Sequence, residues 1–212
     1  MPERLGLMGG TFDPIHFGHL MIADVIGEEL SLDSVLFLPT ATPPHKPHRP
    51  LASAHHRLRM VELAVGPNPR FAVSTLDLEP ASPSFTVDLL DRCKAAHPDA
   101  LLYFLMGADS LRDFPTWHDP TGIIQRAQLA VANRGGISIH PGTLFGMIAG
   151  LQARTHLISA PELHISASEL RARVRAGKSI RYFTPDAVQA YVQEQRLYQS
   201  DSSGARSEHH SR

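Results

Sequence analysis

The chain has 212 residues, 42% hydrophobic and 19% charged, with a formal net charge of -1 and a single cysteine. Those numbers fit one globular domain with a full core. They exclude an intrachain disulfide, a cysteine-based zinc site and a surface that coats polyanions, so no nucleic-acid partner is expected. No apolar run approaches the length of a membrane span and the N-terminus lacks a signal-peptide core, so no membrane association is expected and the cytoplasm is the expected compartment.

Arg4-Leu5-Gly6-Leu7-Met8 is a short, mostly apolar run next to glycine and predicts a buried strand. Ile22, Ile26 and Leu30 recur at i, i+4 and i+8, with Ala23 and Val25 widening the stripe, which predicts a helix. Between them Gly9-Gly10-Thr11-Phe12-Asp13-Pro14-Ile15-His16-Phe17-Gly18-His19-Leu20 is a strand-to-helix turn. Its glycines permit close approach of a ligand, and the amides at the helix N-terminus are open to an anion. One histidine in such a turn is ordinarily structural. Two of them, His16 and His19, with paired glycines and Asp13-Pro14, point to an oligophosphate site.

Residues 34–39 form an apolar run closed by proline and predict a second strand. The proline-rich stretch 40–50, which holds His45, Lys46, His48 and Arg49, can only be a loop. Ser53 is placed to cap a helix through residue 65 with Leu58, Val61 and Val65 on one face, and Gly66-Pro67-Asn68-Pro69 stops it. A strand at 71–74 and a loop at 81–84 precede a helix at 86–97, within which Cys93 reads as buried and inert. Residues 101–106 predict a strand ending at Gly107, and further strands are expected at 129–132 and 156–158 with a helix over 144–154 between them. Strands alternating with helices predict a single α/β domain: a mostly parallel sheet, helices on both faces, and ligands at the carboxyl ends of the strands.

Ser166 and Glu169 have the spacing of a capping box at the start of another helix, and Pro185 opens a last amphipathic helix to residue 194. From Ser200 the composition turns polar. The expected division is a domain over 1–199 and a disordered tail over 200–212, in which His209 and His210 read as solvated. His118-Asp119 has the look of a metal phosphohydrolase dipeptide, but with no matching set elsewhere it reads as coincidence, and no metal site is expected.

The run Gly-x-Phe-x-Pro-x-His-x-Gly-His resembles the signature of the nucleotidyltransferase superfamily, the adenylyl- and cytidylyltransferases that share an H-x-G-H element. A second superfamily motif, close to I-S-x-[ST]-x-[IL]-R, is matched by Ser166, Ser168 and Arg171, with serine at a position where threonine is commoner. Pro43-Pro44-His45-Lys46, Pro83-Ser84-Phe85-Thr86, Gly107-Ala108-Asp109 and Phe114-Pro115-Thr116-Trp117 resemble elements of the bacterial nicotinate mononucleotide adenylyltransferases. Phe85 stands for their tyrosine, Ser82 for a usual glycine, and Asn133-Arg134-Gly135-Gly136 for their R-P-G.

The resemblance implies a Rossmann-like domain that joins ATP and nicotinate mononucleotide into nicotinate adenine dinucleotide and pyrophosphate, without a covalent intermediate. It implies catalytic roles for His16, His19 and Arg171. It implies ATP contacts from Gly9, Gly10, Thr11, Phe12, His16, Gly18, His19, Gly107, Asp109, Ser166, Ser168 and Arg171. Contacts to the mononucleotide would come from Thr11, His45, Lys46, Thr86 and Trp117, and Mg²⁺ would arrive on the ATP phosphates. A sister transferase such as pantetheine-phosphate adenylyltransferase, or a non-catalytic nucleotide sensor, remains the alternative. Oligomeric state is left open, a homo-oligomer among the options. For Trp117 a core role and for Asp109 a helix cap compete with substrate contact.

Overall fold

Strands Arg4–Gly10 (β1), Ser34–Pro39 (β2), Phe71–Val73 (β3), Leu101–Gly107 (β4), Gln128–Arg134 (β5) and Thr155–Ala160 (β6) lie in one sheet, in the order β3-β2-β1-β4-β5-β6. Every neighbouring pair is parallel. The computed structural model from which this is read describes residues 2–41, 52–78, 85–134 and 144–199. Helices are Phe17–Glu29 (α1), Ala54–Val65 (α2), Thr86–Ala96 (α3), Ala108–Asp113 (α4), Pro120–Arg126 (α5), Ala167–Arg175 (α6) and Asp186–Glu194 (α7). No helix among the described residues is long and apolar enough to cross a membrane.

The alternation of side chains along a strand sorts the core into two layers. Val35 and Phe37 of β2, Tyr103 and Leu105 of β4, and Ala130 and Ala132 of β5 face one side, where Ile22 and Ile26 of α1, Met60 and Val61 of α2, Leu170 of α6 and Val188 of α7 cover them. Leu5 and Leu7 of β1, Leu36 and Leu38 of β2, Phe104 of β4 and Leu129 and Val131 of β5 face the other, under Leu90 of α3, Leu111 of α4 and Ile123 of α5. A sheet buried on both faces explains why its central strands read as continuous apolar runs. This is the expected single α/β domain, Rossmann-like in strand order, with helices on both faces and a sheet that is parallel throughout.

Strand order reverses at β1, whose neighbours β2 and β4 continue the chain in opposite directions. In open α/β sheets such a reversal is where ligands gather, outside the carboxyl ends of the strands, and here Gly10 and Gly107 end β1 and β4.

The structure corrects the reading at three places. Of the helix expected over 144–154 only Leu144 and Phe145 are helical; turns follow from Gly146, with a 3-10 turn at Gln152–Arg154. Gly150 sits there at φ +83, which a continuing helix does not allow, and buried Ile148 and Leu151 anchor the segment as a loop. Helices α4 and α5 went unseen because six or seven residues are too few to show a period. Asp119, the acid of the His118-Asp119 dipeptide, caps α5 by accepting from the Gly122 amide at 2.9 Å. On α2 the buried stripe runs through Arg57, Met60, Val61, Ala64 and Val65, so Leu58 gives way to an arginine. Both serine caps are realised: Ser53 accepts from the His56 amide and Ser166 from the Glu169 amide.

Candidate active site

Between β1 and α1 the chain turns sharply, with Phe12 at φ 48 and a cis peptide bond at Asp13-Pro14. His16, extended and almost fully buried, is the N-cap of α1. Its amide donates to Nδ1 of His19 at 3.3 Å, so neutral His19 carries its proton on Nε2 and presents that edge as a donor. The two imidazoles stack with centroids 3.7 Å apart, and His19 meets the Phe12 ring edge-on at 5.1 Å. Gly18 allows this: a Cβ there would stand 3.0 Å from His16 Nδ1. The first-turn amides are less open than expected. Phe17 N donates to Phe183 O, and His19 N and Leu20 N donate to His16 O, which narrows the anion-binding expectation on this turn to the Gly18 amide.

Asp13 is the centre of a buried polar cluster that no motif announced. Only 2% exposed, its Oδ1 accepts from the Ala52 amide at 3.2 Å and from the Tyr198 hydroxyl at 2.7 Å, while Oδ2 faces Arg171 Nη1 at 3.5 Å. Arg171 Nη1 also donates to the Asp13 carbonyl at 2.6 Å. That bond joins the second motif to the first across nearly the whole chain. Thr184 Oγ1 donates to the Ile15 carbonyl at 2.8 Å, so the C-terminal segment holds the signature turn at several points.

Arg57 supports the same turn from below. It is 1% exposed and donates to the carbonyls of Ala52, Thr11, Thr40 and Ala41. Burial pulls its guanidinium below the ordinary value, and Asp13 followed by Tyr198 opposes that pull. For Tyr198 burial and then the Asp13 carboxylate push the phenol well above its usual range, so its hydroxyl remains a donor. The single sequence signal for Arg57 was an arginine at i, i+3 and i+4 spacing to apolar neighbours on a helix.

The other predicted residues that the structure describes stand at the ends of neighbouring elements. Ser166 and Ser168 stand at the start of α6 with their hydroxyls 3.4 Å apart, one turn before Arg171. Gly107 closes β4 and is the N-cap of α4; Asp109 lies in the first turn of α4, exposed and 3.9 Å from Arg112, so it is not the helix cap. Thr86 begins α3, and Trp117 follows the 3-10 turn Phe114–Thr116, edge-on to Phe104 with centroids 6.0 Å apart. Phe85 and His118 stack at 4.1 Å, which brings the Thr86 and Trp117 segments together. Trp117 is partly buried against the second core layer, as its core reading has it. His45, Lys46, Pro83-Ser84, Gly135-Gly136 and the tail 200–212 lie outside the described residues; Arg134 ends β5, its side chain also outside them.

A family model described as cytidylyltransferase-like matches residues 7–173. A probable nicotinate-nucleotide adenylyltransferase of Thermomicrobium roseum is 47% identical over 198 residues, 93% of this chain and 92% of its own. One of Roseiflexus, described in the same words, is 42% identical over 196 residues, covering 92% and 97%. Among solved structures, the Plasmodium falciparum nicotinic acid mononucleotide adenylyltransferase complexed with NaAD superposes with TM-score 0.75 at 23% identity, covering 92% of this chain and 97% of that one, a likeness of fold.

Proposed function

The chain belongs to the nicotinate-nucleotide adenylyltransferases of the cytidylyltransferase-like superfamily, and on that premise we propose how its residues carry the reaction. The enzyme transfers AMP from ATP to nicotinate mononucleotide, giving nicotinate adenine dinucleotide and pyrophosphate in NAD synthesis. An oxygen of the acceptor's 5′-phosphate attacks the α-phosphorus of ATP; the new P–O bond forms as the α–β bridging bond breaks, and pyrophosphate leaves. Both reactants bring their own nucleophile and electrophile, so the protein's part is alignment and stabilisation of charge on the phosphoryl oxygens.

In this reading Nε2–H of His19, with His16 stacked beside it, meets the α-phosphate. The Arg171 guanidinium and the Ser166 and Ser168 hydroxyls take the departing β- and γ-phosphates at the start of α6. Gly9, Gly10, Thr11, Phe12 and Gly18 let the nucleotide approach the backbone, and Gly107 with Asp109 faces its ribose. Thr86 and Trp117 bound the pyridine ring, with Thr11, His45 and Lys46 at the acceptor phosphate. ATP enters with Mg²⁺ on its phosphates. The carboxylate within the signature, Asp13, is not spare for a metal, because Oδ1 takes two protein donors and Oδ2 faces Arg171. The compartment we assign is the cytoplasm.

The observation that carries this reading is the 2.6 Å bond from Arg171 to the Asp13 carbonyl. It brings the guanidinium of one phosphate motif to the turn that bears the histidines of the other. Incubating the protein with MgATP and nicotinate mononucleotide, and following pyrophosphate and dinucleotide together, tests it. Release of pyrophosphate with phosphopantetheine and none with the mononucleotide would move the chain to the sister transferase.

A further inference from the structure

We propose that Tyr198 is a positioning residue for adenylyl transfer: its hydroxyl, bonded to Asp13, sets the carboxylate that holds Arg171 in place for the leaving pyrophosphate. The proposal rests on the phosphate role given to Arg171 above.

A buried carboxylate beside an arginine tends to draw the guanidinium into a two-point pair, because nothing else nearby satisfies both oxygens. In this site that does not happen. Tyr198 and Ala52 both donate to Oδ1, at 2.7 and 3.2 Å, and leave only Oδ2 for Arg171, at a loose 3.5 Å. The short bond of Arg171 goes instead to the backbone carbonyl of Asp13, through the same Nη1. Only Nη1 is thereby committed to Asp13, and the rest of the fork is left for a ligand. Tyr198 lies just beyond α7, at φ 62, in a turn that carries Arg196 at φ 51. The chain adopts this uncommon backbone where the ring packs on the first core layer and the hydroxyl reaches Asp13.

Without the hydroxyl, Asp13 Oδ1 keeps one long amide bond in a site closed to water. The carboxylate then turns toward Arg171 and takes the fork in two-point fashion. The effect appears in the kinetic constants for ATP, while the acceptor side, proposed at Thr86 and Trp117, is untouched.

A neighbouring hydroxyl supplies the control. Tyr191 of α7 bonds Nδ1 of His56 on α2 at 2.8 Å, joining the two helices without touching Asp13. Steady-state kinetics and melting curves on full-length Tyr198→Phe, Tyr191→Phe, Asp13→Asn, Arg171→Lys and the double variant Asp13→Asn/Tyr198→Phe form the test. Tyr198→Phe lowers kcat/KM for ATP about tenfold with KM for nicotinate mononucleotide within about twofold of wild type. Tyr191→Phe lowers the melting temperature but keeps wild-type kinetics. In the Asp13→Asn background the second substitution adds little, because both act through one contact. Wild-type ATP kinetics in Tyr198→Phe, or an equal kinetic loss in Tyr191→Phe, overturns the proposal. If Arg171→Lys is impaired while Tyr198→Phe is not, the proposal alone falls. Wild-type ATP kinetics in Arg171→Lys removes the phosphate role of Arg171, and the proposal with it.

Discussion

His16 and His19 lie face to face, ring centroids 3.7 Å apart and planes 24° from parallel, at the first turn of α1. The His16 amide fixes the tautomer of His19, and the absence of a side chain at Gly18 leaves room for His16. His19→Ala should therefore reduce kcat by roughly 10²–10³, the usual loss when one aimed donor to a developing charge is removed. The fold should lose no more than a capping bond, about 0.5–1 kcal/mol. Turnover measured on the folded variant decides it, and wild-type turnover would remove His19 from the mechanism.

Arg57→Ala should act in the opposite way, chiefly on stability. Its guanidinium serves four carbonyls in a closed site, and truncation leaves those carbonyls without their donor and Asp13 with Arg171 as its remaining positive neighbour. A loss of about 3–5 kcal/mol in urea unfolding is expected. A loss below about 1 kcal/mol would mean the loops it ties find other partners.

Acceptor choice turns on one substituent of the pyridine ring. A threonine hydroxyl and nearby amides donate to a carboxylate, whereas the NH₂ of a carboxamide meets those donors with another donor, at about 1–3 kcal/mol per unpaired group. Nicotinate mononucleotide should exceed its amide by at least roughly tenfold in kcat/KM. Trp117→Ala should weaken either acceptor by about 1–3 kcal/mol and spare ATP. The partial burial of Trp117 against Phe104 and Phe114 adds a stability loss to that variant, so binding must be compared on folded protein. Equal efficiencies for the two mononucleotides would show that no carboxylate pocket exists.

Cys93 is fully buried, and burial pushes its thiol up to about 11, with Arg92 opposing the rise and Asp77 adding to it. The unfolded chain loses this proton near the ordinary value of about 8.5, the folded protein only later. Its contribution to stability is therefore complete below about pH 8.5 and is lost as pH climbs through about 11. Melting temperature should decline over that window, less steeply in Cys93→Ala. At about pH 8 a thiol reagent should label the native protein only as fast as it opens. Labelling at the rate of an unhindered cysteine would contradict the burial.

Local patterns in the chain were enough for the alternation of strands and helices, the parallel sheet and the two motif-bearing turns. Each of those is local: an apolar run between breakers, a serine cap at Ser53 or Ser166, glycines and histidines in one turn. The sequence alone did not determine α4 and α5, which are too short for a period to show, or the loop at 146–154, where apolar residues anchor turns around Gly150. Above all it did not reveal that Asp13, Arg57 and Tyr198 share one buried cluster with Arg171. A buried ion pair or phenol–carboxylate bond depends on groups brought together from distant stretches of chain, and neither Arg57 nor Tyr198 carries a local sign of it. It is the sheet's reversal at β1, with α2, α6 and the end of the chain packed against one turn, that settles which of these charges meet.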